Sequence, residues 1–246
     1  MAAPRFFFPQ SLPRPLVEGT HIDVGEEVVR HLQVLRMNAD DQVTLFDGLG
    51  GEFLAEIAEL GKRRATARLL EFNDVERESP LAITLVQALA TSDKMDLIVQ
   101  KAVELGVAGV QPVSSERATL KLSGDRAEKR AAHWQSIARA ACEQCGRNRV
   151  PLIAEPISLD EWLASPAAGV RLMLHPEAST SMLDIAGNQT AISLLVGPEG
   201  GFSERELVLA ARSGVEAVRF GPRVLRTETA GLAAVAALNA IAGDLR

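Results

Sequence analysis

The stretch LLVGPEGGF, Leu194–Phe202, carries apolar residues straight into Gly-Pro-Glu-Gly-Gly, and SERELVLAARSG, Ser203–Gly214, follows at once with helical spacing. A buried strand, a sharp glycine turn and an immediate helix make one strand–helix unit. Ser203 and Glu206 stand at the S-x-x-E spacing of a capping box, which accounts for both structurally. Glycine lets a ligand approach the backbone closely, so something small is expected to sit against this turn. The turn alone does not say what.

The same grammar repeats on both sides of this unit. LAITLVQALA (81–90) is a near-continuous apolar run, as expected of a strand covered on both faces. DKMDLIVQKAVELGV (93–107) follows with helical spacing and a glycine stop, then GVQPVS (109–114) as a strand. A long helix is predicted from Asp125 to Cys145, leading to VPLIAEP (150–156). VRLMLHP (170–176), AISLLVGP (191–198) and EAVRFGP (216–222) read as three further buried strands, and TETAGLAAVAALNAIAG (227–243) as an alanine-rich helix. Alternating strands and helices predict a parallel α/β sheet. Before the polar segment FNDVERESP (72–80) the pattern differs. QVTLFD, GEFLAEIAEL and RRATARLLEF are short alternating runs split by Asp-Gly and Gly-Lys turns, the mark of a small antiparallel sheet or barrel. One helix, GEEVVRHLQVLRM (25–37), interrupts it. The expected domains are therefore 1–74 and 75–246.

The chain has 246 residues, 47% of them hydrophobic, enough for a substantial core. MAAPRFFFPQ is broken by prolines and has no cleavage pattern, so it does not read as a signal peptide. No apolar run approaches the roughly 18 residues that span a bilayer. Two cysteines argue against a disulfide framework and make a cytoplasmic location the default. The formal charge of −6 argues against a nucleic-acid partner, but its distribution does not. Glu18–Glu59 holds ten acidic residues against Arg30 and Arg36, whereas Glu116–Arg149 holds eight basic residues against four acidic ones. Such a basic stretch fits a polyanion partner or a solvated helix face laced with ion pairs.

Three predicted strands end alike, in LHPE, VGPEGG and FGPRVLRTETAG. Ligands of open α/β sheets bind outside the carboxyl ends of the strands, so these turns are expected to line one pocket. A P-loop needs Lys-Ser/Thr after its last glycine, where Phe202-Ser203 stands; the dinucleotide spacing Gly-x-Gly-x-x-Gly is also absent. CEQC (142–145) has no second cysteine pair to complete a zinc site and falls at a helix end rather than opening one, so its cysteines read as structural. His175 follows a strand and is a candidate base, with no nucleophile motif to serve. In LRTETAG, Thr227 or Thr229 fits a helix cap. Capping leaves Arg226 and Glu228 unexplained; they are candidates to orient a substrate, carry a proton or pair with each other.

LLVGPEGGFSERE together with RFGPRVLRTETAGLAAVAALN resembles the RsmE family of small-subunit ribosomal RNA uridine-N3 methyltransferases, of the SPOUT class. RFF, HLQVLRM, KAVELGV, EQCGRNRVP and LMLHPEA extend the likeness in order over nearly the whole chain. The resemblance implies a PUA-like RNA-binding β-barrel at 1–74 and, at 75–246, a parallel α/β methyltransferase domain with a deep trefoil knot. It implies a homodimer acting on ribosomal RNA or the small ribosomal subunit, with S-adenosylmethionine as cofactor and neither metal nor membrane. Cofactor contacts would come from Leu174, His175, Val196, Gly197, Pro198, Glu199 and Gly200. Gly221, Leu225, Arg226, Thr227, Thr229 and Ala230 would complete the pocket. Arg226 would stabilise charge developing on the uracil, and Glu228 would accept a proton or orient Arg226. Arg5, Arg36, Lys101 and Arg147 are the expected RNA contacts. A non-catalytic RNA-binding protein and a nucleotide-dependent transferase are the rival readings.

Overall fold

A computed structural model describes residues 3–17, 19–187 and 189–245. The chain forms two compact units, Met1–Arg77 with Cys142–Val150, and Glu78–Ala141 with Pro151–Arg246.

The first unit contains β1 (Arg5–Phe7), β2 (His21–Asp23), α1 (Gly25–Val34), β3 (Gln42–Phe46), β4 (Glu52–Leu60) and β5 (Ala65–Asn73). Its five strands lie in the order β1-β3-β4-β5-β2, antiparallel except for the parallel β1–β3 pair. Alternation along β4 buries Phe53, Ala55 and Ile57. Val28, Val29 and Leu32 of α1 join them in one core. The helix stops at Val34, short of the expected Met37, because Arg36 turns into the left-handed region at φ 56°. The sequence expectation put everything after residue 74 in the second domain. Cys142–Val150 instead counts with the first unit, where its polar groups are satisfied. Asn148 Nδ2 donates to Val75 O at 2.8 Å, Arg149 Nε to Glu76 Oε2 at 2.6 Å, and Glu143 Oε1 accepts from Phe7 N at 2.8 Å.

The second unit runs β6 (Ala82–Ala88), α2 (Ser92–Glu104), β7 (Gly109–Ser114), α3 (Asp125–Cys145, its last turn counted with the first unit), β8 (Leu152–Ile153) and β9 (Ile157–Ser158). Then come α4 (Leu159–Ala164), β10 (Val170–Leu174), α5 (Met182–Ala186), β11 (Ala191–Val196), α6 (Glu204–Arg212), β12 (Glu216–Val218) and α7 (Thr227–Ala242). Every strand pair is parallel, in the order β12-β10-β11-β6-β7-β8 with β9 also on β7. Alternation on β6 sorts the two faces. Val86 and Ala88 join the core beneath α4 and α6, which holds Trp162, Phe202 and Ala210. Leu85 and Gln87 meet α7 at Gly231, where an added Cβ would stand 3.4 Å from both and from Val196. That approach seats the apolar helix on the sheet directly behind β11. Among the described residues no helix is long and apolar enough to cross a membrane.

Candidate active site

The three strand ends expected to converge do so. A cavity of about 560 Å³ opens at the carboxyl ends of β10, β11 and β12. Leu174 and His175 line it after β10, and Val196, Gly197, Pro198 and Glu199 after β11. Gly221, Leu225, Arg226, Thr227 and Ala230 line it from the loop after β12 and the start of α7. Gly200, Glu228 and Thr229 are not on the wall. Pro176, Gly201, Phe220, Arg223 and Val224, which lie in the expected turns but were not named as contacts, also line it, as do Lys94 and Phe202, which the sequence did not suggest. A smaller cavity of about 270 Å³ adjoins it, sharing Phe220, Gly221, Arg223 and Leu225 and adding Ser181, Leu183 and Arg219.

Local forces hold these turns in shape. Gly201 (φ 67°) and Gly221 (φ 72°) occupy the left-handed region that favours glycine. Gly201 N closes the first turn on Pro198 O at 2.9 Å. The capping box forms as read: Ser203 Oγ accepts from Glu206 N and Glu206 Oε2 from Ser203 N. Glu206 is 1% exposed, and its second oxygen accepts Glu116 N at 2.8 Å, tying the α6 start to the β7 exit. The cap expected from Thr227 or Thr229 is not made. Arg226 is the N-cap of α7 without a side-chain cap bond, and Thr229 lies inside the helix. Buried Thr227 instead donates Oγ1 to Gly197 O at 2.6 Å and accepts from Gln87 Nε2 at 2.9 Å. It therefore ties the α7 start and the central strand to the glycine turn.

The charges are distributed unevenly. Lys94, in the first turn of α2, places Nζ 2.8 Å from Glu199 Oε1 and 3.5 Å from Glu228 Oε2. The Glu199 hydrogen bond raises the Lys94 pKa above the usual lysine range. Burial opposes the Glu199 charge, but the Lys94 hydrogen bond and charge, the backbone amide of Glu199 and the Thr119 hydroxyl together outweigh it and hold that carboxyl below the usual range. A cation in a helix's first turn opposes the macrodipole. That mismatch was the available sequence signal for Lys94. Arg226 is exposed, and its guanidinium makes no hydrogen bond or ion pair among the described residues, so its five donors are free for a ligand. His175 Nδ1 accepts from Glu177 N at 3.3 Å, which uses the nitrogen that a base would need.

The expected RNA contacts divide. Arg36 is exposed. Lys101 pairs with Glu104 at 2.8 Å but remains 43% exposed at the side chain. Arg5 and Arg147 require correction, because neither presents a free head. Arg5 spends its guanidinium on Glu52, Asn148 Oδ1 and the carbonyls of Gly146 and Arg147. Arg147 is 4% exposed. A further basic cluster, Lys62-Arg63-Arg64, is exposed in the turn between β4 and β5. Cys142 is buried and Cys145 partly so, and among the described residues neither is in a disulfide.

Residues 77–239 match the RNA methyltransferase domain family, and residues 24–70 match the RNA methyltransferase PUA domain. The chain is 34% identical over 214 residues to ribosomal RNA small subunit methyltransferase E of Buchnera aphidicola from Schizaphis graminum, covering 87% of each chain. It is 30% identical to the Bacillus subtilis protein of the same name, covering 87% of this chain and 88% of the other. Among solved structures, ribosomal RNA small subunit methyltransferase E of Neisseria gonorrhoeae bound to S-adenosyl methionine superposes with a TM-score of 0.93 at 43% identity, covering 100% of both chains. A Legionella pneumophila protein in complex with SAM gives 0.94 at 36% identity, also covering 100% of both.

Proposed function

The chain belongs to the ribosomal RNA small subunit methyltransferase E family, and we propose that it methylates N3 of a uridine in small-subunit (16S) ribosomal RNA with S-adenosylmethionine as donor. The observation that carries this reading is the cavity at the three strand ends. Its size lies within the range of small-molecule sites. Leu174, Val196 and Leu225 give an adenosine apolar walls, and the Gly197–Gly201 backbone gives it close polar contact. A Cβ at residue 197 would press on the Phe202 ring at 3.1 Å, so a side chain there would have to displace that ring from the cavity wall. The residues fit the cofactor, which supplies a methyl group already activated by its sulfonium; no metal is needed for that.

The chain's own part is to hold the base and manage charge. As N3 loses its proton, negative charge spreads to the uracil carbonyl oxygens. The free Arg226 guanidinium on the cavity wall meets that charge. Glu228, two residues on in α7, makes no pair with Arg226 and is the candidate proton acceptor. The first unit and the exposed Arg36, Lys62, Arg63 and Arg64 grip RNA phosphates, with Lys101 a further contact from the second unit.

The loops around β10, β11 and β12 form a deep trefoil knot, as the family likeness implies. The protein is a homodimer: α7 is apolar around its circumference, Leu232 is only half-buried and Ile241 is 37% exposed, which fits cover by a second copy. It works in the cytoplasm, where ribosomal subunits are assembled. The test is single-turnover methyl transfer from radiolabelled cofactor to saturating ribosomal RNA. Arg226→Ala should slow it about a hundred- to thousandfold, the cost of losing one preorganised donor, with both ligands bound nearly as before. A near-wild-type rate would remove Arg226 from the chemistry.

A further inference from the structure

Lys94 is a wall residue to which the uridine chemistry gives no part. Its ammonium lies between Glu199 Oε1 at 2.8 Å, from the turn after β11, and Glu228 Oε2 at 3.5 Å, from the first turn of α7. The mutual hydrogen bond raises the Lys94 pKa and, against burial, lowers that of Glu199, so this pair stays ionised near neutral pH. Thr119 Oγ1 reaches Glu199 Oε2 at 3.5 Å without adding charge. Glu228 Oε2 is buried and accepts no hydrogen bond, which leaves the ammonium as the cation beside it. Two carboxylates around one ammonium carry a formal excess of negative charge. The other cations on the wall, Arg223 and Arg226, belong to the segment between β12 and α7 and are exposed.

S-adenosylmethionine and its product differ by one methyl group and one positive charge. Fixed charge around the cavity therefore enters the ratio of their affinities, while most effects of shape cancel from it. We infer that the Glu199–Lys94–Glu228 cluster makes the cavity favour the charged sulfonium donor over its neutral thioether product, with Lys94 limiting that preference by cancelling one carboxylate. The inference rests on S-adenosylmethionine being the ligand of this cavity. It gives the carboxylates a function in turnover, because spent cofactor loses the attraction that drew the donor in, and it gives Lys94 the part of setting how strong that attraction is.

The test is calorimetric binding of S-adenosylmethionine, S-adenosylhomocysteine and sinefungin to the full chain without RNA, so that no turnover intervenes. Sinefungin carries a charged amine in place of the methylated sulfur and should follow the donor. Glu199→Gln should lower the donor-to-product affinity ratio by about three- to tenfold, as expected for unit charges several ångströms apart at intermediate dielectric. Lys94→Met should raise the ratio by a similar factor, and Lys94→Arg should leave it near the wild-type value. If Glu199→Gln and Lys94→Met weaken donor and product by one common factor, the cluster is a structural clamp and the inference falls. The Glu199 arm decides the matter even where Lys94→Met folds poorly, because the Glu199 side chain is one-third exposed. Failure of all three ligands to bind wild-type protein would overturn the cavity assignment itself, a result distinct from an unchanged ratio.

Discussion

Thr227→Val tests the junction on which the cofactor turn depends. The substitution keeps the shape of a side chain that is 5% exposed and removes only its hydroxyl. Two hydrogen bonds go with it, to Gly197 O at 2.6 Å and from Gln87 Nε2 at 2.9 Å. Each is worth about 0.5–1.5 kcal/mol net, and more where the abandoned partner stays dry. Gln87 is 0% exposed; its Nε2 keeps one bond, to Ala88 O at 2.9 Å, and is left with an unsatisfied hydrogen. Gly197 is half-buried on the cavity wall, so water can replace its lost donor. The sum is about 1–3 kcal/mol of stability, together with a looser glycine turn and weaker cofactor binding. Urea unfolding and calorimetric titration with S-adenosylmethionine measure the two effects separately. Gln87→Leu combined with Thr227→Val should cost less than the two single changes added, because both remove the same bond. A single variant within about 0.5 kcal/mol of wild type, binding cofactor normally, would refute the claim that Thr227 anchors the turn.

Gly197→Val should abolish cofactor binding, since its Cβ would already crowd Phe202 at 3.1 Å; unchanged affinity in a folded variant counts against the assignment. Asp47→Asn should destabilise the protein at neutral pH by about 3 kcal/mol, near the lower end for a broken buried pair because Arg14 is partly exposed. Burial opposes the Asp47 charge, but the Arg14 hydrogen bond and the Leu12 and Leu49 amides hold its folded pKa below the ordinary value. Its stabilisation is therefore present above the ordinary aspartate range and lost as pH falls through the folded value, so wild type and variant should converge in acid. Glu143 has the opposite sign. Burial raises its folded pKa, so its contribution is greatest at low pH and is lost as pH rises through that value. Glu143→Gln keeps an acceptor for Phe7 N and should stabilise the protein at neutral pH, with the gain shrinking in acid; a gain that grew in acid would reverse the assignment.

The fold was legible wherever a periodic pattern had to be satisfied locally. Continuous apolar runs at 81–90, 170–176 and 191–198 became central parallel strands, and alternation at 51–60 became β4. Short elements carried no such signal. β2 and β9 are three and two residues long, too brief for a period to show. The site was legible where glycine and proline marked turns at strand ends, because those residues constrain the backbone itself. Lys94 reaches the wall through tertiary placement, which no spacing within its own segment encodes. Thr227 misled for a related reason. A hydroxyl at a helix start reads as a cap, yet the buried Gln87 amide and the Gly197 carbonyl offered it better partners.

Counting charge along the chain misleads in the same way, and this bears on how RNA is held. The basic run around Arg147 looked like a phosphate-binding surface, but a guanidinium has five donors and takes whatever acceptors the fold supplies. Arg149 is bound to Glu76, Arg77 to Glu52 and Gly146 O, and Arg5 to Glu52 and Asn148. These bonds tie Cys142–Val150 into the sheet unit and pair much of that charge internally, although the Arg149 side chain keeps 56% of its surface exposed. The β4–β5 turn is the reverse case. Gln33 Nε2 donates to Gly61 O and Lys62 O, pinning the turn to α1 by its backbone and leaving Lys62, Arg63 and Arg64 exposed, as Arg36 is. Neutralising Lys62, Arg63 and Arg64 to alanine should therefore flatten the salt dependence of RNA binding by about two to three units of log–log slope, at about 0.7–0.9 per lost phosphate contact. Arg5→Ala should instead lower stability and leave that slope nearly unchanged. A slope that fell with Arg5 and not with the turn would return the RNA contact to the segment around Arg147.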